Sequence, residues 1–124
     1  MRNMILILFM CFTSLTTAAS LNYSCVYPTY TDRAGVKQSD GEDSPFSFEI
    51  IQYSNDKAIM KGNLSMTPLL VIKGNGQVSF IEVTQTKNVM VTTITDSLES
   101  VHSRNLVMFG KFVTSQYFGS CKLI

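Results

Sequence analysis

Cys25 and Cys121 stand near the two ends of the chain. A bond between them would make the first and last structural elements neighbours, since bridged Cα atoms lie roughly 4.4–6.8 Å apart. No other sequence feature restricts the fold so sharply, because it requires the succession of elements to close on itself. A loop spanning nearly the whole domain would also remove unfolded-state entropy, on the order of 4–5 kcal/mol. Two free thiols, or a bond to another molecule, are the alternatives.

The start of the chain speaks to the compartment that decides between them. Arg2 is the only charge before Asp32, and it precedes an apolar run from Met4 to Phe12. Small and hydroxylated residues follow, Thr16-Thr-Ala-Ala-Ser20. A cationic start, a short apolar middle and small residues ahead of a cut site are what an export signal needs. A membrane anchor is the other reading, but a spanning helix needs roughly 20 apolar residues and this run has about half. Cys11 lies inside the run, after Phe9 and Met10, where a lipid anchor would want small residues. Cleavage is expected after Ala19 or Ser20, leaving a secreted or periplasmic product with no membrane attachment. In an oxidising compartment an isolated pair of cysteines usually bridges.

Losing residues 1–20 takes Arg2 and Cys11 away. Of ten Lys and Arg, nine remain to balance nine Asp and Glu, and two of three cysteines are left. A net charge near zero argues against nucleic acid as a partner, because displacing counterions needs a basic surface. Residues 21–124 are enough for one domain. Two sequons, Asn22-Tyr-Ser24 and Asn63-Leu-Ser65, matter only in a host that glycosylates.

That domain reads as strand after strand. Val, Ile, Phe, Tyr and Thr recur, no long stretch keeps helical spacing, and Gly, Asn and Asp punctuate the apolar runs. Strands are expected near 21–27, 45–54, 57–62, 67–73, 77–84, 89–95, 100–109 and 112–122. Ser54-Asn-Asp-Lys57 and Lys73-Gly-Asn-Gly76 are turns. Lys87-Asn88 and Gly110-Lys111 suit two-residue hairpin loops, the latter with Gly first as a type II′ turn requires. Asp96-Ser-Leu-Glu99 suits a four-residue loop. Connections this short impose sequential antiparallel pairing. The expected fold is all-β: a small antiparallel up-and-down β-barrel of about eight strands, closed by one disulfide, with a two-sheet β-sandwich as the alternative. One connection departs from the pattern. Residues 28–45 form a long polar loop, and such loops are often functional. Its Ser39-Asp-Gly-Glu-Asp-Ser44 lacks the ligand spacing of a calcium loop.

These turns also place a surface. A loop at 87–88 sets Glu82 opposite Thr93, and the loop 96–99 sets Thr93 opposite His102. A loop at 110–111 sets Arg104 opposite Tyr117 and His102 opposite Gly119. Directly opposed side chains share a face, so Glu82, Thr93, His102, Arg104 and Tyr117 gather mid-sheet, flanked by Val89, Val91, Leu106 and Met108. The other face carries Ile81, Val83, Ile94, Val101, Val107, Phe109, Phe112 and Phe118, and reads as core. Arg104 would reach over Thr93 to Glu82. The plain account of the cluster is an outward salt bridge worth roughly 0–1 kcal/mol. The sharper account is a recognition patch, since Arg and Tyr ringed by apolar side chains are typical interface anchors.

Catalytic signals are lacking. His102 is the only histidine, and its neighbour Ser103 must point to the opposite face of a strand. Ser54-Asn-Asp-Lys57 matches a Ser-x-x-Lys pattern but falls on a turn, away from the helix start that such enzymes need. No phosphate loop, no metal-spaced set of ligands and no cofactor motif stands in the chain.

The segments Lys57-Ala-Ile-Met-Lys-Gly-Asn63, Val78-Ser-Phe-Ile-Glu-Val-Thr84, Asn88-Val-Met-Val-Thr-Thr-Ile94, Val101-His-Ser-Arg-Asn105 and Ser115-Gln-Tyr-Phe-Gly-Ser-Cys121 resemble short exported proteins of bacteria and their phages. The resemblance covers about residues 45–121. It implies an exported, microbial protein and brings no activity, substrate or site.

The functional expectation is an exported, non-enzymatic binding module that contacts a protein or glycan through a sheet face or the 28–45 loop. A lipocalin-like carrier of a small apolar ligand is the first alternative, and a hydrolase with an unrecognised site is the second. Phe46, Phe48, Phe80, Phe109, Phe112 and Phe118 are candidates to fill a narrow barrel, which favours the module over the carrier. The exported protein should begin at Ser20 or Leu21 and weigh two hydrogens less than its reduced form. Intact mass checks both; a product retaining residues 1–19 would contradict the signal.

Overall fold

Seven consecutive residues, Val89 to Thr95, include only one that is not β-branched, and stiff branched side chains of this kind fit a pleated ladder. They form one of nine strands in the computed structural model, which describes residues 20–38, 46–63 and 65–124. In chain order these are β1 (Leu21–Asp32), β2 (Gly35–Gln38), β3 (Phe46–Gln52), β4 (Lys57–Lys61), β5 (Met66–Lys73), β6 (Gln77–Val83), β7 (Val89–Thr95), β8 (Glu99–Met108) and β9 (Lys111–Leu123). No helix occurs among the described residues. Strands β3 to β9 pair with their sequence neighbours, all antiparallel, and β1 pairs with both β3 and β9. Eight strands thus close into a barrel, and β2 is an extra strand on β1. The barrel is the expected one, and the sandwich alternative falls away. The export signal lies outside the described residues.

The seam between β1 and β9 carries the disulfide. Cys25 and Cys121 face each other directly in the register, are bonded, and are buried. Just beyond them β1 bulges between Val26 and Thr29. Pro28 sits in the bulge, where its missing N–H breaks no ladder bond. Gly119 of β9 faces this irregularity. A Cβ there would land on the Val26 carbonyl oxygen and crowd the Tyr27 Cα, so only glycine lets the two strands approach.

The bulge also changes how the polar segment 28–45 folds. It is not a loop from residue 28 onward: β1 continues to Asp32, turns at Arg33-Ala34 and returns as β2. Asp32 anchors the turn by accepting from the Ala34 N–H at 2.7 Å and pairing with Lys37 at 2.9 Å. The rest of that segment, 39–45, lies outside the described residues.

Three hairpin turns differ from expectation. The β6–β7 connection is a three-residue loop: the Lys87 N–H donates to the Thr84 carbonyl and Lys87 has φ 66°. The β7–β8 connection repeats this design, with the Leu98 N–H donating to Thr95 and Leu98 at φ 67°. Both follow the three-residue pattern of a type I turn closed by a left-handed residue. Between β8 and β9 the central pair is Phe109-Gly110 at φ 52° and 74°, a type I′ turn in place of the type II′ turn at Gly110-Lys111.

These turns decide which side chains enter the barrel. Glu82 is opposite Met90 and Ser79 is opposite Thr93, while Thr92 is opposite His102. Both registers differ from expectation by an odd number of residues, and each odd slip reverses a face. The two reversals cancel for β6 against β8, so only β7 turns over. The β8–β9 register differs by two residues, which preserves the face and puts His102 opposite Tyr117 and Arg104 opposite Ser115.

The inner face is the one carrying Glu82, His102, Arg104 and Tyr117. The core is Tyr23, Cys25, Tyr27, Phe48, Ile50, Ala58, Leu69, Val71, Phe80, Ile94 and Cys121, and strand pairing then obliges Ser100 and His102 to point inward with it. Of the residues expected in the core, Ile94 is there. Val83, Val107, Phe109, Phe112 and Phe118 are exposed, with Phe112 at 68% and Phe109 at 99%. Ile81 and Val101 are half-buried on the outer wall. Phe46, Phe48 and Phe80 do point inward as expected.

Gly119→Ala should lower stability by about 1–3 kcal/mol, the usual cost of forcing extra atoms into a packed site. Urea unfolding measures it, and an unchanged midpoint would mean that the seam can open without penalty.

Candidate functional site

Eight strands enclose an interior just wide enough for side chains to fill. Here the filling is uneven along the axis. Tyr23 and Phe80 meet edge to face at 5.9 Å, within the same buried cluster as Ile50, Ala58 and Ile94. Toward the end from which the β8–β9 hairpin leaves, polar side chains replace apolar ones.

His102 stands at that transition, 2% exposed. Its Nδ1 lies 2.7 Å from the Oγ1 of Thr92, the residue opposite it on β7. Rings surround it: Phe48 at 5.2 Å, Phe46 at 5.6 Å, Tyr117 at 6.0 Å and Tyr27 at 6.1 Å between centroids. Burial first, and the Arg104 charge second, push its pKa down to about 4, so the imidazole is neutral near pH 7. Ser100 Oγ donates to the Thr93 carbonyl at 3.0 Å and lies 2.8 Å from the Tyr27 hydroxyl. Burial pushes the Tyr27 phenol up to about 12, with the Ser100 hydrogen bond opposing the shift.

Arg104 follows His102 on the same face of β8. Its Nη1 donates to the Tyr117 hydroxyl over a long 3.4 Å, and its Cζ stands 5.9 Å from the Tyr117 ring centre. Tyr117 is held in turn by stacking on Tyr30 at 5.1 Å and by Phe46 at 4.6 Å. Across Met90 from Arg104 is Glu82. Burial raises the Glu82 pKa and the Arg104 charge partly opposes this. The two do not form the expected salt bridge: among the described residues the ion pair is Lys37–Asp32.

Between these side chains is an open cup of about 470 Å³. Phe46, Phe48, Met60 and Met90 give it apolar walls; Glu82, His102 and Arg104 give it polar ones; and Gly62, Asn63, Ser65 and Thr67 line it from the β4–β5 side. Its size is within the range of small-molecule sites.

The expected cluster is therefore brought together with one exception, but inside the barrel and not on an outer surface. Glu82, His102 and Arg104 line the cup, and Tyr117 backs Arg104. Thr93 is excluded, because β7 turns over: it points outward and its hydroxyl bonds that of Ser79 at 2.8 Å. Thr92 takes its place. Met60 and Met90 are lining residues that sequence reasoning did not single out. For Met60 a signal existed, since it alternates with the buried Ala58 on β4. For Met90 there was none until the turn type was known. No known protein family, curated protein or solved structure matches the chain.

The buried imidazole links stability to pH. Its folded pKa, about 4, lies below the ordinary value of 6.5, so the unfolded chain takes up the proton first. Stability from this group is complete above about pH 6.5 and is lost as pH falls toward 4, by up to about 3 kcal/mol. The raised Glu82 works in the opposite sense. Comparing wild type with His102→Phe by chemical denaturation from pH 7 to 4 isolates the histidine. The wild type should lose its advantage as the pH falls, and parallel curves would mean that His102 is not held neutral by burial.

Proposed function

We propose that the protein is an exported, non-enzymatic binding protein that holds a small ligand in the cup at the open end of its barrel. The observation that carries this reading is the cup itself, where Phe46, Phe48, Met60 and Met90 meet the polar side chains of Glu82, His102 and Arg104 and the Asn63, Ser65 and Thr67 side of the rim. Apolar walls combined with convergent polar groups in a concavity of this size are what a small-molecule site needs. The reading favours the carrier over a module that grips a partner through a sheet face, since the residues meant for that face line the interior. The Cys25–Cys121 bond is compatible with an oxidising compartment, as export requires. Thr92 and His102 make a hydroxyl–imidazole pair, but Thr92 is 1% exposed and an imidazole titrating near 4 is a poor base at neutral pH. This pair supports a structural role over hydrolysis.

A neutral fluorescent probe, N-phenyl-1-naphthylamine, tests the cup without presupposing a charge on the ligand. It should bind the folded, oxidised protein saturably. Met90→Trp should weaken binding at least tenfold by occupying the cup, whereas Val89→Trp, on the outer wall beside it, should leave binding unchanged. Met60→Trp fills the same cup from β4 and serves if the Met90 variant does not fold. Equal binding by wild type and the filled variants would overturn the reading.

A further inference from the structure

Within the cup, Arg104 is the group that the fold leaves unsatisfied. Its Nε is fully buried and has no hydrogen-bond partner. A guanidinium presents five donors in a fixed plane and has no acceptor. One of them, on Nη1, has Tyr117 at 3.4 Å, at the weak end of hydrogen-bond distances. Glu82, the acid on the same wall, is not in ion-pair contact with it. A buried charged donor without an acceptor is costly, and the same residue lines a cavity that Phe46, Phe48, Met60 and Met90 also line.

We propose that the cup binds a monocarboxylic acid with an apolar body, the carboxylate accepting from the Arg104 guanidinium and the body lying among Phe46, Phe48, Met60 and Met90. The inference rests on the small-ligand reading above and names the class of ligand. Chemistry favours a planar oxyanion, because a guanidinium presents its donors in a fork that matches a carboxylate. Charge favours a single negative unit. Among the described residues Arg104 is the one cation lining the cup, and Glu82 on the same lining adds a negative charge that disfavours a dianion such as a phosphate monoester. His102 is neutral near pH 7 and adds no second cation.

Displacement of bound N-phenyl-1-naphthylamine by decanoate and by decan-1-ol tests this. The two share a chain and differ in the head group. In wild type at pH 7, decanoate should displace the probe at a concentration at least tenfold below that of the alcohol. Arg104→Gln should bring decanoate to the alcohol's level, so that the ratio of the two potencies falls to about one whatever the variant's own affinity for the probe. Arg104→Lys, which keeps the charge and loses the fork, should fall between. Equal potency of acid and alcohol on wild type would overturn the proposal, as would decanoate binding that Arg104→Gln leaves intact. Should Arg104→Gln not fold, the wild-type comparison and Arg104→Lys still decide. Failure of the probe to bind wild type at all would instead remove the small-ligand reading on which the proposal rests.

Discussion

Closure between β1 and β9 is the constraint on which the rest of this protein depends. Its two strands stand at opposite ends of the domain, with the bonded cysteines 96 positions apart. Bringing such distant segments together costs the most chain entropy of any pairing in the barrel. Three local features support it: the covalent bond, the Pro28 bulge and the absent Cβ of Gly119. Without closure β1 and β9 would be free edges, each a row of unpaired backbone groups. With it, every strand of the barrel has two neighbours.

The same seam builds the site. Tyr27 and Tyr30 come from β1, Tyr117 from β9, and His102 and Arg104 from β8, which β9 positions. Past the bulge β1 remains paired with β9 in a shifted register that sets Tyr30 opposite Tyr117, and Tyr117 then underlies Arg104. A polar group can be held in this interior only because each partner is placed by a different strand: Thr92 for His102, Ser100 for Tyr27. Arg104 is the exception, held by a long hydrogen bond and a ring face, with its buried Nε left without a partner.

The barrel is filled at its middle. Tyr23, Tyr27, Phe48 and Phe80 occupy much of an eight-stranded lumen, and beyond them the lining passes to Met60 and Met90, long side chains that leave space. Apolar residues that could have filled it, Phe109, Phe112 and Val107, point outward instead. Phe109 occupies a left-handed position that favours Asn or Gly and lies almost wholly in solvent, so the β8–β9 hairpin presents an aromatic tip beside the open cup.

Composition and punctuation were enough to make strands, their order and the direction of each pairing legible, because alternation and short connections act within a few residues of one another. Cys25 and Cys121 made closure legible too, since a bond between the ends leaves few ways to arrange strands in sequence. Register was not legible. It hung on Lys87 and Leu98 adopting left-handed conformations, which neither residue type advertises, and one odd slip at each turned β7 over and exchanged Thr93 for Thr92. Nor could alternation say which face was inside, because apolar residues line both faces of β6 to β9. That was decided by the tertiary structure: β1 and β3 place most of their apolar residues on one side, and pairing around a closed ring obliges every other strand to follow, even where it carries His102 and Arg104 indoors.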